Sequence, residues 1–375
     1  MHLLKKDGTY LILRMAGAAV LSFLVVMVFA PRVIRFLVRR KIRDLPQFDN
    51  RDLDQITQHK SRTPTMGGIL IVAAILLSTL VFGHLGNMYV RMSLVALVWL
   101  GALGAADDWL KLRRVAGKGS RDGLKSWEKI LFQIALAVLL AIFTYRYGSE
   151  SKVEYRPLGR VINPAHHFFL PFTTAAIELS LFAYVVIAVL TMVGTSNAVN
   201  LTDGMDGLAS GCVMIATLVL LVLAELVNVA DTTNNLKLPL VAGAGEMTVV
   251  CAAMVGACLG FLWYNAPPAQ VFMGDTGSLT LGGLMGYIAV VTRQELLLVI
   301  AGGVFVMEAV SVILQVSYFK LTRPAPGAPG RRLFRIAPIH HHFHMGGWAE
   351  TKVVIRFWVL AIVFAALALA TLKLR

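Results

Sequence analysis

Apolar positions in this chain come in long unbroken blocks, and short polar stretches separate them. Blocks at about 15–36, 67–85, 90–106, 129–146, 174–194, 207–227, 242–264, 276–292, 295–318 and 353–372 each approach the ~20 apolar residues that a helix needs to cross a bilayer core. A barrel of strands would need short segments of alternating polarity, and these runs do not alternate. The pattern predicts an all-α polytopic membrane protein of about ten transmembrane helices. The first block ends in Pro31-Arg32 and lacks a small-residue cleavage site, so it is expected to be a retained helix and not a signal peptide.

Composition agrees. Hydrophobic residues make up 57% of the 375 residues, charged residues 15%, and the mean hydropathy is +0.71. So little charge cannot cover a soluble domain of this size. No internal repeat or appended soluble module is visible, so residues 1–375 are expected to form a single transmembrane domain. The longest external loop, 148–173, contains Ser151-Lys-Val-Glu-Tyr-Arg-Pro-Leu158, whose alternation suits a small hairpin. The three cysteines, Cys212, Cys251 and Cys258, fall inside apolar blocks and are expected to be packing residues.

Charge changes the picture by its placement. The formal net charge of +14 invites a nucleic-acid partner. Yet 22 of the 35 Lys and Arg lie in 32–66, 107–129 and 319–352, at and after the ends of odd-numbered blocks. The positive-inside rule places those loops, about 37–66, 107–128, 195–206, 265–275 and 319–352, in the cytoplasm and both termini in the periplasm. Membrane topology therefore accounts for most of the basic charge, and no nucleic-acid partner is expected. Cations gathered on one face would also attract an anionic substrate or lipid headgroup.

The same loops carry the ionisable motifs. Asp107 and Asp108 are expected to end the third block, where a carboxylate opposes the helix dipole unless Lys111, Arg113, Arg114 or a metal compensates it. Asn200-Leu-Thr-Asp203-Gly204-Met-Asp206-Gly207 precedes the sixth block. A single Asp there would merely cap a helix, but Asn197, Asn200, Thr202, Asp203 and Asp206 together suit a pocket for a polar ligand, with glycines permitting close approach. Phe272-Met-Gly274-Asp275-Thr-Gly-Ser278 repeats the device before the eighth block. A hard cation such as Mg2+ takes carboxylate oxygens, and Asp275 with Asp107, Asp108 or both would suffice to hold one. Phe272 suits either stacking on a planar base or anchoring the loop in lipid.

His340-His341-His342 lies beside His344 and Gly346-Gly347-Trp348. In an extended segment consecutive histidines alternate, so at most two would face one metal; near phosphates, imidazoles are better proton carriers or hydrogen-bond donors. Lys60, in His59-Lys-Ser-Arg-Thr63-Pro64-Thr65-Met-Gly-Gly68, either obeys the topology rule or reaches a phosphate. Arg331-Arg332-Leu-Phe-Arg335 suits the headgroup level, while Glu308 and Gln315, seven apart, are expected to form an inward hydrogen-bonded stripe.

Taken in order, Lys60 to Gly68, Asp107-Asp108, Asn200 to Leu208, Phe272 to Ser278 and Pro338-Ile-His-His-His-Phe343 resemble the phospho-N-acetylmuramoyl-pentapeptide transferases, over about Lys60 to Trp348. The histidine run separates these from sister enzymes acting on UDP-N-acetylhexosamines. The resemblance implies an active site at the cytoplasmic face of a bacterial inner membrane. It implies Mg2+, UDP-N-acetylmuramoyl-pentapeptide as donor and undecaprenyl phosphate as acceptor, and it allows a homodimer. By similarity Asp275 is the metal ligand, Asp107 and Asp108 are catalytic acids, and His341 and His342 support them. Asn200, Asp203, Gly204 and Asp206 would hold the nucleoside with Phe272 near the uracil. Lys60, Lys111 and Asn265 would serve the phosphates, and Thr65 and His340 would contact substrate. Trp109 replaces a frequent Tyr, His344-Met345 replaces an acidic-aliphatic pair, and neither Lys125 nor Lys129 is assigned. The rivals are a transferase of N-acetylglucosamine 1-phosphate and a solute transporter, which would need mid-membrane polar sites and repeats.

Overall fold

The computed structural model describes residues 8–40, 63–115, 123–148, 153–155, 157, 159–324 and 329–374. Thirteen helices are described: α1 (Gly8–Arg39), α2 (Gly68–Phe82), α3 (Met88–Val115), α4 (Ser126–Gly148), α5 (Leu181–Thr202), α6 (Leu208–Leu226), α7 (Ala230–Leu236), α8 (Met247–Asn265), α9 (Gly274–Thr292), α10 (Glu295–Ala301), α11 (Gly303–Leu321), α12 (Ile339–His344) and α13 (Glu350–Ala370). Eight of the helical segments are long and apolar enough to cross a membrane, which makes the chain a polytopic membrane protein. The blocks predicted at 67–85 and 276–292 also fold as helices, but differently from the rest. The first is the 15-residue apolar α2. The second, α9, is buried at every position from Asp275 to Thr292.

Burial explains the composition of α9. It packs most extensively on α5 and α3, so it meets other helices instead of lipid and needs small side chains more than apolar bulk. A Cβ on Gly282 would lie 2.6 Å from the Thr195 carbonyl oxygen, and one on Gly286 would lie 2.7 Å from Met192 Cα. Such close backbone approach replaces the hydrophobic drive that is missing between helices in lipid. The apolar residues that face outward instead sit on peripheral helices, such as Val28 and Phe29 on α1 and Ile362 and Val363 on α13.

Several expected boundaries move, each for a physical reason. The helix after the second polar loop does not stop at residue 106; α3 continues to Val115, so Asp107 and Asp108 lie inside a helix. The fifth block shifts from 174–194 to 181–202, because residues 176–178 pair antiparallel with 167–169 and Ser180 caps the helix through Ala183. Asn197 and Asn200 therefore project from the last turns of α5, not from a loop. The ninth block breaks at Gly302 into α10 and α11. The hairpin read in the 148–173 loop forms, pairing Val153–Tyr155 with Arg160–Ile162. The histidine run is the helix α12 and not an extended strand. All three cysteines are buried and free.

Candidate active site at a buried acid cluster

Two helices deliver the acids. Asp107 and Asp108 stand on α3, and Asp275 opens α9. One oxygen from each lies within 4.8 Å of the others, although 167 residues separate Asp108 from Asp275. Asp107 is fully buried and Asp108 nearly so.

The three carboxylates have different tasks. Asp108 faces the start of α9: Oδ1 accepts from the Asp275 N–H at 3.1 Å, and Oδ2 accepts from the Thr276 N–H at 3.0 Å and the Thr276 hydroxyl at 2.6 Å. It is an N-terminal cap supplied by a neighbouring helix, satisfying donors that α9 cannot satisfy itself. Gly274 permits the approach. Its φ is +72°, and a Cβ there would lie 2.7 Å from Asp108 Oδ2 and 3.1 Å from Thr65 Oγ1.

Asp107 and Asp275 share two lysines. Asp107 Oδ2 lies 2.8 Å from Lys111 Nζ and 3.0 Å from Lys129 Nζ, and Asp275 Oδ2 lies 3.4 Å and 2.8 Å from the same two atoms. Asp107 Oδ1 accepts from the Leu124 N–H at 2.7 Å, and Asp275 Oδ1 accepts from Asn200 Nδ2 at 2.8 Å. Asn200 also donates to Ser278 Oγ at 2.9 Å. With every group ionised, three acids and two lysines leave one net negative charge. Lys111, one of the cations expected to compensate these acids, does so by direct ion pairing one turn along α3, joined by Lys129 on α4. Lys129 was not assigned from sequence; nothing local distinguishes it from Lys125, and only the docking of α4 turns it toward the acids.

The nucleoside-side candidates surround this cluster. Asp203 ends α5, part-buried, and faces the Gly274 N–H. Loss of hydration, followed by the nearby charges of Asp275, Asp108 and Asp206, pushes its carboxyl well above the ordinary carboxylate range. Gly204 lies against the rings of His340 and His341, where a Cβ would collide with His340 Nε2 and come within 3.2 Å of His341 Nε2. Asp206 Oδ2 accepts from the Ala269 N–H at 2.9 Å, and the Asp206 N–H donates to Glu350. Asn265 is buried, and its amide is engaged by protein: Oδ1 accepts from the Gly207 N–H and the Ser210 hydroxyl, while Nδ2 donates to the Val271 carbonyl. That geometry makes it a brace between α6, α8 and the 265–271 loop.

Phe272 lies in a segment stitched to the Thr-Pro-Thr loop. Its N–H donates to the Pro64 carbonyl, and its carbonyl accepts from the Gly67 N–H, each at 2.8 Å. Thr65 is buried in that joint. His340 is fully buried, with Nδ1 3.0 Å from Glu308 Oε2. His341 packs against it with the two rings tilted, centroids 4.1 Å apart. His342 turns the other way: its Nδ1 accepts from the Arg335 N–H at 3.1 Å, and its ring meets Phe334 edge-on. Lys60 lies outside the described residues.

The hard oxygen donors of Asp107, Asp108 and Asp275 could hold a metal cation, and Asp107 and Asp275 are the ones not tied up in capping a helix. The cation would share those carboxylates with Lys111 and Lys129.

Residues 90–293 match the model of glycosyl transferase family 4. The chain is 42% identical over 367 residues to the phospho-N-acetylmuramoyl-pentapeptide-transferase of Desulfotalea psychrophila, covering 98% of this chain and 94% of that protein. It is 43% identical to the protein of the same name from Thermodesulfovibrio yellowstonii and 41% identical to that from Rickettsia felis, with the same coverage in both cases. Similarity this even along nearly the whole length leaves one assignment: the chain belongs to the phospho-N-acetylmuramoyl-pentapeptide transferases of glycosyl transferase family 4.

Proposed function

We propose that this chain transfers phospho-N-acetylmuramoyl-pentapeptide from its UDP carrier to undecaprenyl phosphate at the cytoplasmic face of a bacterial inner membrane. The products are the first lipid-linked precursor of peptidoglycan and UMP. The observation that carries the proposal is the meeting of Lys111 and Lys129 with one oxygen each of Asp107 and Asp275, while Asn200 holds the other Asp275 oxygen. Joining a soluble nucleotide sugar to a membrane-bound phosphate needs this combination at the bilayer boundary. Phosphoryl transfer is mostly positioning and charge neutralisation.

Each residue then has a part. Lys111 and Lys129 meet the oxygens of the diphosphate, since both ammonium groups already face the centre of the cluster. Asp107 takes the proton from the lipid phosphate, whose oxygen attacks the phosphorus on the sugar side as the bond to UMP breaks. Asn200 holds the Asp275 carboxylate in register, and Asp203 with Gly204 lies where the nucleoside would enter. A bound Mg2+ supplies further neutralisation of the diphosphate. The span count of ten and the periplasmic placement of both termini belong to this same proposal. They rest on the charge asymmetry of the loops.

The test is UMP release by the purified protein with undecaprenyl phosphate and either UDP-N-acetylmuramoyl-pentapeptide or UDP-N-acetylglucosamine. Turnover of the first donor alone is expected. Turnover of the second alone would transfer the chain to the sister activity and overturn the proposal.

A further inference from the structure

The inward polar stripe on α11 has a specific partner. Glu308 is fully buried, on a helix whose other residues are mostly apolar. Its carboxylate faces the backbone N–H groups of Ile339 and His340 and lies 3.0 Å from His340 Nδ1. A buried acid therefore stands at the first turn of α12, against the His340 ring. Seven residues along, Gln315 makes a second grip on the same segment. Its Oε1 accepts from the Leu333 and Phe334 N–H groups at 3.1 and 2.8 Å, and its Nε2 donates to the Phe334 carbonyl at 3.3 Å. Seven residues are about two turns of helix, roughly 10 Å, so both side chains leave one face of α11.

His340, fixed on one side by Glu308, abuts Gly204 on the other. His341 packs on His340 and also reaches Gly204, beside Asp203. Moving the 333–344 segment by even one ångström would therefore shift His341 relative to Asp203 and the nucleoside side of the cluster. Misplacement on that scale is enough to cost a large factor in rate.

We infer that Glu308 and Gln315 are positioning residues: they clamp the 333–344 segment to α11 and thereby seat His341 against the Asp203-Gly204 turn. This rests on the proposed transferase activity. Neither residue touches the acids or the two lysines, so both act through the imidazole. The inference places a functional requirement on buried residues of a membrane helix that would otherwise be read as fillers of its polar stripe.

A double-mutant cycle tests it, using the purified full chain and UMP release as the signal. Glu308→Ala and Gln315→Ala are each expected to lower kcat at least tenfold, with the KM for the UDP donor changed less than threefold. In a His341→Ala background the same substitutions should cost less than twofold more, because the group they seat is gone. Glu308→Gln, which retains one acceptor oxygen, should recover part of the loss. Wild-type kcat in folded Glu308→Ala and Gln315→Ala proteins would overturn the inference, and so would full additivity with His341→Ala. Should Glu308→Ala fail to fold, the more accessible Gln315→Ala carries the cycle alone. An inactive wild-type protein would instead strike the proposed function, which keeps the two failures distinct.

Discussion

Asp108→Asn separates two jobs that its neighbour Asp107 makes easy to confuse. In the structure Asp108 accepts three hydrogen bonds, all from the first turn of α9. Asparagine keeps one acceptor oxygen and turns an NH2 toward a backbone N–H, so at least one charge-assisted bond is lost and a donor meets a donor. Each such bond contributes roughly 1.5–3 kcal/mol, and an unsatisfied buried donor adds its own desolvation cost. The expected destabilisation is about 2–5 kcal/mol. Asp107→Asn should cost less: its remaining oxygen still accepts from the Leu124 N–H, and Lys111 and Lys129, each partly accessible, can turn to water. Thermal unfolding in detergent, run alongside UMP release, measures both effects. Asp108→Asn should unfold well below wild type, while Asp107→Asn should keep most of its stability and lose its turnover. An Asp108→Asn protein as stable as wild type but inactive would refute the capping argument and return Asp108 to the chemistry.

Three further outcomes follow from the same geometry. Asp275→Asn should lower turnover on the order of a hundredfold or more, as loss of a key charge at the reacting centre does, and chelation of divalent cations should reduce UMP release in wild type to a similar floor; retained turnover in either experiment contradicts the assigned role. Asp203 holds its proton to higher pH in the fold than in the unfolded chain, so the fold binds that proton more tightly. Its contribution to stability is therefore lost as pH rises from the ordinary carboxylate range through the raised value. Asp203→Asn should flatten that decline in unfolding temperature, and an unchanged slope would remove Asp203 as its source. Gly204→Ala places a methyl group against His340 and His341. It should cut turnover at least tenfold and lower the unfolding temperature, since the buried His340 ring must shift, and normal turnover would mean that the histidines need not stand where they do.

Much of this molecule is legible from its sequence because the bilayer imposes a rule that acts residue by residue. Continuous apolar blocks are required wherever a helix meets lipid, so most helices follow from composition alone, whereas Asp107, Asp108, Asn197 and Asn200, expected in connections, fold into helices. Asp107, Asp108, Asp275, Asn200 and the histidine run stand out in the sequence, since ionisable groups at those places need a reason, and the fold brings Asp107, Asp108, Asp275 and Asn200 together. Local pattern went wrong where packing overrules length. α3 runs past its apolar block because Lys111 lies one turn from Asp107 and meets its charge, and α9 is polar for a helix at this depth because protein surrounds it on all sides.

What only the tertiary structure decided is the division of labour among identical side chains. Asp107 and Asp108 are adjacent and alike in sequence, yet one pairs with two lysines and the other caps a helix that begins 167 residues later. Lys125 and Lys129 are equally plausible on paper, and the seating of α4 selects Lys129. Glu308 and Gln315 read as a stripe until the 333–344 segment closes over them. Hydrophobic spacing is a property of neighbours along the chain, whereas an ion pair or a cap depends on which distant backbone arrives within 3 Å. No local pattern carries that distance.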